Sequence, residues 1–472
     1  MIPTRLRRSF AVLAVLCGAC ATDQQADVDG WRQEVSLGDL PAHEPGAPLS
    51  LAAAVRLANE QNERIAIGGE DFVQAIVARA RVTAGFFPEV DISPTYVFRE
   101  KTAAGINFLD SASLLDVPVH AQWTIFDGFR DVNRASAADL TVEQYRSLLR
   151  DLRETVVLEV VQSYYRVLRA EQRAVVLERS LAVQQQRVRE FVARERIGTA
   201  RSLDGAQAQA QASRTSLDLI DSRNEARTAR EALCLLTGVD VRTSALHDDF
   251  VLPDGAPDQA RLFALAEEQR QDLRAAALAA EAARVNVEVA FGQYYPSIGV
   301  SLDYFLTRDS LPTERDWTGL LTFYLPLFSG GRIAADVREA WSLFRQDVSR
   351  YSLLRRSIRH DLAVALDVYD TAGLRLDELK QQNVADVEAL RQAEGGTRAG
   401  LTTNLDLLLA QFQLQRGEVD VVEAEMERKV AWLATLRITG ALTEGTVDVE
   451  VPPPPPPRPA PESPFVRLPV GD

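Results

Sequence analysis

The sequence predicts an α+β membrane protein made of two tandem repeats, each with two transmembrane β-strands and long coiled-coil helices. Three observations support this fold class. A block of roughly 200 residues occurs twice in the chain. Each copy contains short segments in which apolar and polar side chains alternate, and each copy continues with a run of 70 residues that lacks proline.

The duplication is visible in short motifs that recur at a constant distance. Phe126-Asp127-Gly128 matches Phe328-Ser329-Gly330, at an offset of 202 residues, and the aromatic pairs before Pro88 and Pro296 are offset by 208. A unit of this length is too long for a solenoid repeat. The sequence therefore predicts a doubled domain, with a first repeat at 49–245 and a second at 246–445.

Each repeat begins with a segment that is typical of a helix. Residues 50–85 and 258–293 are rich in alanine, leucine and glutamate and contain few residues that interrupt helices. We therefore expect both ranges to be helical.

The period then changes to two. Apolar and polar residues alternate over the ranges 90–99, 116–125, 298–304 and 317–327. A segment of about ten residues with one apolar face is long enough to be a tilted transmembrane strand. The alternative is a pair of strands in a soluble sandwich, but such a sandwich usually needs more strands.

Long helices are predicted after the strands. Gly128 in the first copy, and Gly330 with Gly331 in the second, mark the turns from strand to helix. From Gly128 to Gly198, and from Gly330 to Gly400, 70 residues correspond to roughly 100 Å of helix. Apolar residues follow a 4-3-4 spacing typical of coiled coils, as in Tyr145, Leu149, Leu152 and Val156.

Each long helix is expected to end in a tight turn and to be followed by a returning helix. Gly198 and Gly400 suit the left-handed position at a helix C-terminus. Ser202 and Thr403 are predicted N-caps of the returning helices. The two turns, residues 196–206 and 398–408, are called the tips below.

Composition argues against several function classes. The chain has 52 Lys and Arg against 67 Asp and Glu, a net charge of −15, which disfavours nucleic-acid binding. Its four histidines are scattered and its three cysteines form no metal or disulfide framework. No nucleophile motif or phosphate-binding loop is present. We expect no enzyme activity, no metal and no cofactor.

The N-terminus has the pattern of a secretion signal. Three arginines precede a short apolar run, and Leu16-Cys17-Gly18-Ala19-Cys20 resembles a bacterial lipobox, although Cys17 stands where leucine is usual. Residues 1–19 are the predicted signal peptide and Cys20 is the predicted lipidation site; ordinary cleavage near Ala19 or Ala21 is the alternative. Residues 20–48 are a predicted linker, and residues 446–472 a stiff Pro-rich tail.

Four strands cannot close a barrel, and an open sheet edge is costly in lipid. Other copies of the chain must therefore complete the barrel. Two copies would give eight strands and a filled interior, whereas three would give twelve strands and an interior wide enough for a passage.

The combined pattern resembles the TolC-like outer-membrane efflux proteins, especially their lipid-anchored branch. The resemblance covers about residues 49–445 and rests on three features. These are the duplication, the Phe-Asp-Gly and Phe-Ser-Gly-Gly-Arg turns, and two Arg-x-Gly-x-x-x-x-Leu-Asp hairpins. It implies a homotrimer with a 12-stranded β-barrel in the outer membrane above a 12-helix α-barrel in the periplasm.

The same resemblance implies partners and a function. The chain would be a passive duct for small molecules such as drugs, and would dock to a periplasmic adaptor coupled to an inner-membrane pump. Protein secretion by a type I system is an alternative, and a soluble periplasmic coiled-coil scaffold is an alternative of another class. The adaptor-contact residues carried over by motif lie at the tips: Arg196, Gly198, Leu203, Asp204, Arg398, Gly400, Leu405 and Asp406.

Two of these residues have a second implied role. Asp204 and Asp406 would form a periplasmic constriction, although both also suit the start of a helix. Leu409 stands where the family often has an acidic residue, which leaves fewer acidic residues for the constriction. The aromatic residues Phe86, Phe87, Tyr294 and Tyr295 are expected to form an interfacial girdle or to pack at the helix-to-strand junction.

Overall fold

The computed structural model describes residues 46–98, 113–253, 258–310 and 315–443, together with the single residues 30 and 445. The predicted signal peptide, the lipidation site Cys20 and the Pro-rich tail lie outside these residues, as does nearly all of the linker.

The two repeats have the same order of elements, except that the first has two short strands where the second has a 3₁₀ turn and one long strand. The first contains β1 (Leu49–Ser50), α1 (Leu51–Gln61), α2 (Glu63–Ala84), β2 (Glu89–Ile92), β3 (Thr95–Phe98), β4 (Ser113–Phe126), α3 (Arg130–Arg196) and α4 (Ser202–Thr237). The second contains β5 (Leu246–His247), α5 (Gln259–Gln269), α6 (Gln271–Phe291), a 3₁₀ turn (Gly292–Tyr294), β6 (Ser297–Arg308), β7 (Trp317–Tyr324), α7 (Arg332–Arg398) and α8 (Asn404–Ile438). The predicted strands and long helices are thus confirmed.

The predicted helical segments at the start of each repeat are confirmed, but each is broken into two helices. The backbone is extended at Asn62 and at Arg270, which separates α1 from α2 and α5 from α6. The Asn62 side chain accepts a hydrogen bond from Arg64 N (3.0 Å) and donates one to Leu236 O (2.9 Å). Arg270 donates to Ile438 O (3.2 Å). Each break is therefore held by the end of that repeat's returning helix.

The sheet is antiparallel, in the order β2–β4–β6–β7, with β3 continuing the edge beyond β2. Side chains that lie directly opposite one another on neighbouring strands share a face, so the strand register shows which residues lie on each face. The two faces differ in polarity. One face carries the apolar rows, including Val90–Ala121–Leu302 and Trp123–Val300–Leu321, and the large side chains Val90, Leu302, Trp123 and Leu321 are exposed. The other face carries polar rows. The predicted alternation is confirmed over most of the sheet; the exceptions on the polar face are Leu320 and the pair Pro118–Phe305, which lies beside a shift in strand register.

A large hydrophobic core joins the two repeats beside the short parallel pair β1–β5. Tyr164 of α3 is fully buried there. Its hydroxyl oxygen lies 2.7 Å from both Leu49 O and His247 O, and it accepts a hydrogen bond from His247 N (3.0 Å). One hydroxyl group therefore connects the first residues of both repeats.

The strand-to-helix turns differ between the repeats in how tightly they are packed. Gly128 (φ +76°) and Gly330 (φ +62°) occupy equivalent left-handed positions. A Cβ added to Gly128 would lie 2.4 Å from Gly292 O, whereas one added to Gly330 would meet nothing within 4 Å. After Gly128, Phe129 also has positive φ, where the second repeat has Gly331.

This asymmetry predicts unequal effects of the same substitution. Gly128→Ala combines a left-handed backbone with a backbone clash, so we expect a loss of roughly 2–4 kcal/mol in stability. Gly330→Ala carries only the left-handed cost of about 1 kcal/mol. Thermal unfolding of the two purified variants checks this, and equal losses would contradict the account.

A buried ionic cluster connects α3 to the end of α8. Arg437 donates to Asp151 (2.6 Å) and to Glu154 (3.2 Å), and all three side chains are largely buried. Burial raises the pKa of Glu154 to about 7, with Asp151 and Asp272 adding to the effect and Arg437 opposing it.

This shift makes stability depend on pH. A carboxyl whose pKa is raised on folding stabilises the fold fully below its unfolded value near 4.5, and that contribution disappears as the pH rises through 7. We expect the melting temperature to fall between pH 5 and pH 7.5, by an amount corresponding to at most about 3 kcal/mol. Glu154→Gln should flatten this slope, whereas Glu178→Gln, at a half-exposed pair with Arg223, should not.

Candidate functional site: the helical hairpin tips

The first tip is a left-handed helix end followed at once by a new helix. Gly198 has φ +77°, and its N–H donates to Glu195 O (2.9 Å), while Thr199 N donates to Arg194 O (2.9 Å). These two bonds satisfy carbonyl groups at the end of α3. A Cβ on Gly198 would meet nothing within 4 Å, so only the backbone conformation restricts this position.

The second tip has the same geometry. Gly400 has φ +74°, its N–H donates to Thr397 O (3.2 Å), and Leu401 N donates to Gly396 O (2.8 Å). Its surroundings are also open. Both glycines lie in the left-handed conformation expected of them.

The returning helices begin differently at the two tips. Thr403 is the N-cap of α8, and its hydroxyl accepts from Asp406 N (3.2 Å), while Asp406 accepts from Thr403 N (2.9 Å). In the first repeat, the predicted N-cap Ser202 is wrong. The extended residue is Arg201, Ser202 is already helical, and Asp204 accepts from Arg201 N (3.3 Å).

The two tip aspartates have different surroundings. Asp204 is buried, where burial would raise its pKa, but hydrogen bonds from Arg201 and Asn404 outweigh that effect and lower it. Asp406 is exposed, and its pKa is lowered by its hydrogen bonds with Thr403. Both carboxylates are therefore ionised at neutral pH, but in the single chain only Asp406 faces solvent.

Apolar side chains project from both tips. Leu203 is 54% exposed and Leu405 is 58% exposed. The residues next to the turn glycines are still more exposed, Ile197 at 74% and Leu401 at 83%. The motif comparison missed Ile197 and Leu401, although an apolar residue beside a turn glycine was a usable signal. Arg196 and Arg398, the last residues of α3 and α7, are exposed beside them.

The two tips are packed side by side. Phe191 of α3, Ala208 of α4 and Leu408 of α8 form a small buried cluster just above the turns. Arg187 of α3 donates to Glu394 of α7 (3.3 Å). The fold therefore brings all eight motif residues to one end of the chain, where they form a surface with apolar and charged side chains.

Comparison with known protein families identifies the family to which this architecture belongs. The profile of the family described as outer membrane efflux protein matches residues 73–239 and 262–441. The chain belongs to this family. The two matched segments fall one in each repeat, and they leave the tips of both repeats inside the matched ranges.

Curated relatives agree with this assignment. This chain is 26% identical over 453 residues to the outer membrane efflux protein BepC of Brucella suis, and the alignment covers 93% of this chain and 92% of that protein. It is 21% identical over 384 residues to the outer membrane protein TolC of Vibrio cholerae, covering 79% and 84%. The efflux protein is thus an outer-membrane protein of a family of channel proteins.

Solved structures share its fold. The CmeC outer membrane channel of Campylobacter jejuni aligns with a TM-score of 0.74 at 17% identity, covering 86% of this chain and 91% of that one. The MtrE outer membrane channel of Neisseria gonorrhoeae aligns with a TM-score of 0.71 at 19% identity, covering 87% and 95%. The predicted fold class is confirmed.

The described ranges contain neither a cluster of metal-binding side chains nor an apolar helix long enough to cross a membrane. Within those ranges, no group of three or more His, Cys, Asp or Glu side chains is arranged to hold a metal ion. In the same part of the chain, no helix has both the length and the apolar character that crossing a membrane requires.

Proposed function

We propose that three copies of this efflux protein form one continuous duct, which carries small molecules such as drugs from a periplasmic adaptor and an inner-membrane pump to the outside. The observation that carries the proposal is an antiparallel sheet with four strand positions, in which β2 and β3 together form one edge and β7 the other, and with an exposed apolar face. Such a sheet is stable in lipid only when its edges are paired.

The strand directions allow the edges to pair between copies. With four strands in strict alternation, β7 of one copy runs antiparallel to β2 and β3 of the next. Three copies supply twelve strands, and the barrel then has its apolar rows toward lipid and its polar rows toward the lumen.

The helices support the same assembly. Toward the tips, they lie in the order α7–α8–α3–α4, because α8 contacts both α7 and α3, and α3 contacts α4. Leu217 and Ile220 are exposed on the side of α4 opposite the residues buried against α3. Val384 of α7 is also exposed, and it lies 14 residues before the end of α7 at Arg398. Leu217 lies 15 residues after the start of α4 at Ser202, so the two residues are at similar distances from the tips.

We further propose that the tips are the docking surface for the adaptor. In three copies, six tips form a ring, with the contact residues Arg196, Gly198, Leu203, Asp204, Arg398, Gly400, Leu405 and Asp406. The exposed leucines and arginines are suited to a partner surface with apolar and acidic groups. Lipidation of Cys20 would anchor the chain in the outer membrane, and mass spectrometry of the mature N-terminus tests that part.

The proposed constriction rests mainly on Asp406, which is exposed and ionised. We expect Asp406→Asn to raise the ion leak through purified channels in planar bilayers and to weaken their block by divalent cations. Asp204→Asn should act differently. It removes contacts to Arg201 and Asn404 and so loosens the tip itself. Wild-type conductance and cation block in Asp406→Asn would exclude the constriction.

Efflux itself is tested in cells that lack this chain and their other outer-membrane ducts but retain the pump and adaptor. Supplying the chain should lower the accumulation of a fluorescent pump substrate severalfold. A chain that reaches the outer membrane as a trimer, yet leaves accumulation unchanged while the native duct restores it, would contradict the proposed function.

A further inference from the structure

A row of titratable side chains crosses the polar face of the sheet. Asp91 of β2 lies directly opposite His120 of β4, which lies opposite Asp303 of β6, and Thr318 of β7 ends the row. Residues paired in this way share a face. This face is opposite the apolar rows that would contact lipid, so the row lies toward the barrel lumen.

The central histidine is in direct contact with one carboxylate. His120 Nδ1 lies 2.6 Å from Asp303 Oδ1, and about one third of each side chain is exposed. Asp91 lies opposite His120 on β2, the strand on the other side of β4 from Asp303. Glu89, also on β2, is the diagonal neighbour of His120. These three carboxyl groups are the charged groups that face His120 from the two adjacent strands.

We propose that the row Asp91–His120–Asp303 is a charge filter in the barrel lumen, which favours cations and loses part of that preference when His120 gains a proton. This inference rests on the proposed trimeric duct. In three copies the row contributes six carboxylates at one level of the barrel. Protonation of three histidines reduces the net charge of the ring from six negative charges to three.

The pH dependence of the ion preference distinguishes the proposed filter from the tip carboxylates. An imidazole changes charge between about pH 5 and pH 8. The pKa values of Asp204 and Asp406 are lowered by their hydrogen bonds, so the tip carboxylates keep their charge over that range. Glu154, whose pKa is raised to about 7, does titrate there, and it is therefore replaced by glutamine in all channels compared.

The experiment measures the reversal potential of full-length Glu154→Gln channels in planar bilayers under a potassium chloride gradient, at pH 8 and at pH 5. We expect the ratio of potassium to chloride permeability to fall about twofold at pH 5, in line with the halved ring charge. Adding His120→Gln should remove this pH dependence. Adding His360→Gln, an exposed histidine on α7, should leave it intact.

A second variant tests the row without the histidine. Asp303→Asn preserves the size of the side chain and should lower cation preference at pH 8. The filter is overturned if His120→Gln channels keep the pH dependence of the parent, or if Asp303→Asn channels keep its cation preference. Absence of any channel in the parent protein would instead contradict the duct, and the filter with it.

Discussion

Replacing Leu217 and Ile220 together by aspartate is expected to leave the chain unable to form trimers. These side chains are exposed in the single chain and would be buried against α7 of the neighbouring copy. Burying two large apolar side chains contributes roughly 3–6 kcal/mol, and burying an unpaired charge there adds a further penalty. Each 1.4 kcal/mol changes an association constant about tenfold, so the amount of trimer should fall below detection.

The matched control is Val251→Asp, which also replaces an exposed apolar residue (77%) by a carboxylate, but in the segment after β5 and outside both α4 and α7. It should retain the trimer. Chemical crosslinking of the two variants in detergent separates the cases. A normal trimer in the double aspartate variant would mean that the copies do not meet along α4 and α7.

Gly198→Val and Gly400→Val are expected to assemble normally and to lose export. Both glycines have a left-handed backbone, which costs a β-branched side chain about 1–2 kcal/mol. Since the space around them is open, the chain relieves this cost by tilting the tip rather than by unfolding. A cost of that size in docking corresponds to a loss of roughly 5- to 30-fold at each tip.

The control for these variants is Gly395→Val, which lies within α7, where an added Cβ meets nothing within 4 Å and φ is helical. It should export normally. The measurements are the cellular accumulation of a fluorescent pump substrate and the trimer level in the same membranes. Normal export by both tip variants, with unchanged trimer levels, would show that the tips do not couple the duct to its partners.

The repeated architecture could be predicted because its signals are local and periodic. The offset of 202 residues identified equivalent turns, and the 4-3-4 spacing identified the long helices. The breaks at Asn62 and Arg270 could not, because each is held by a carbonyl group some 170 residues further along the chain, at Leu236 or Ile438. The pair β1–β5 has only two residues in each strand, too few for a pattern.

The tips were located by motif, but their chemistry required the fold. Asp204 and Asp406 are equivalent in sequence, yet Asp204 is buried beside Arg201 and Asn404, whereas Asp406 is exposed. That difference arises because the tip of one repeat packs against the tip of the other. Ser202 was misplaced for a related reason, since Arg201 is held by Asp204 in an extended conformation, and the helix therefore begins at Ser202, one residue earlier than an N-cap at Ser202 would give.

The central claim is that one sheet with four strand positions is completed by two further copies of the chain. Native mass spectrometry of the wild-type protein, extracted from outer membranes in detergent, tests it most directly. The account predicts a single dominant species with the mass of three chains. A dominant monomer would contradict barrel closure between copies, and a dominant dimer would give eight strands with no room for a duct.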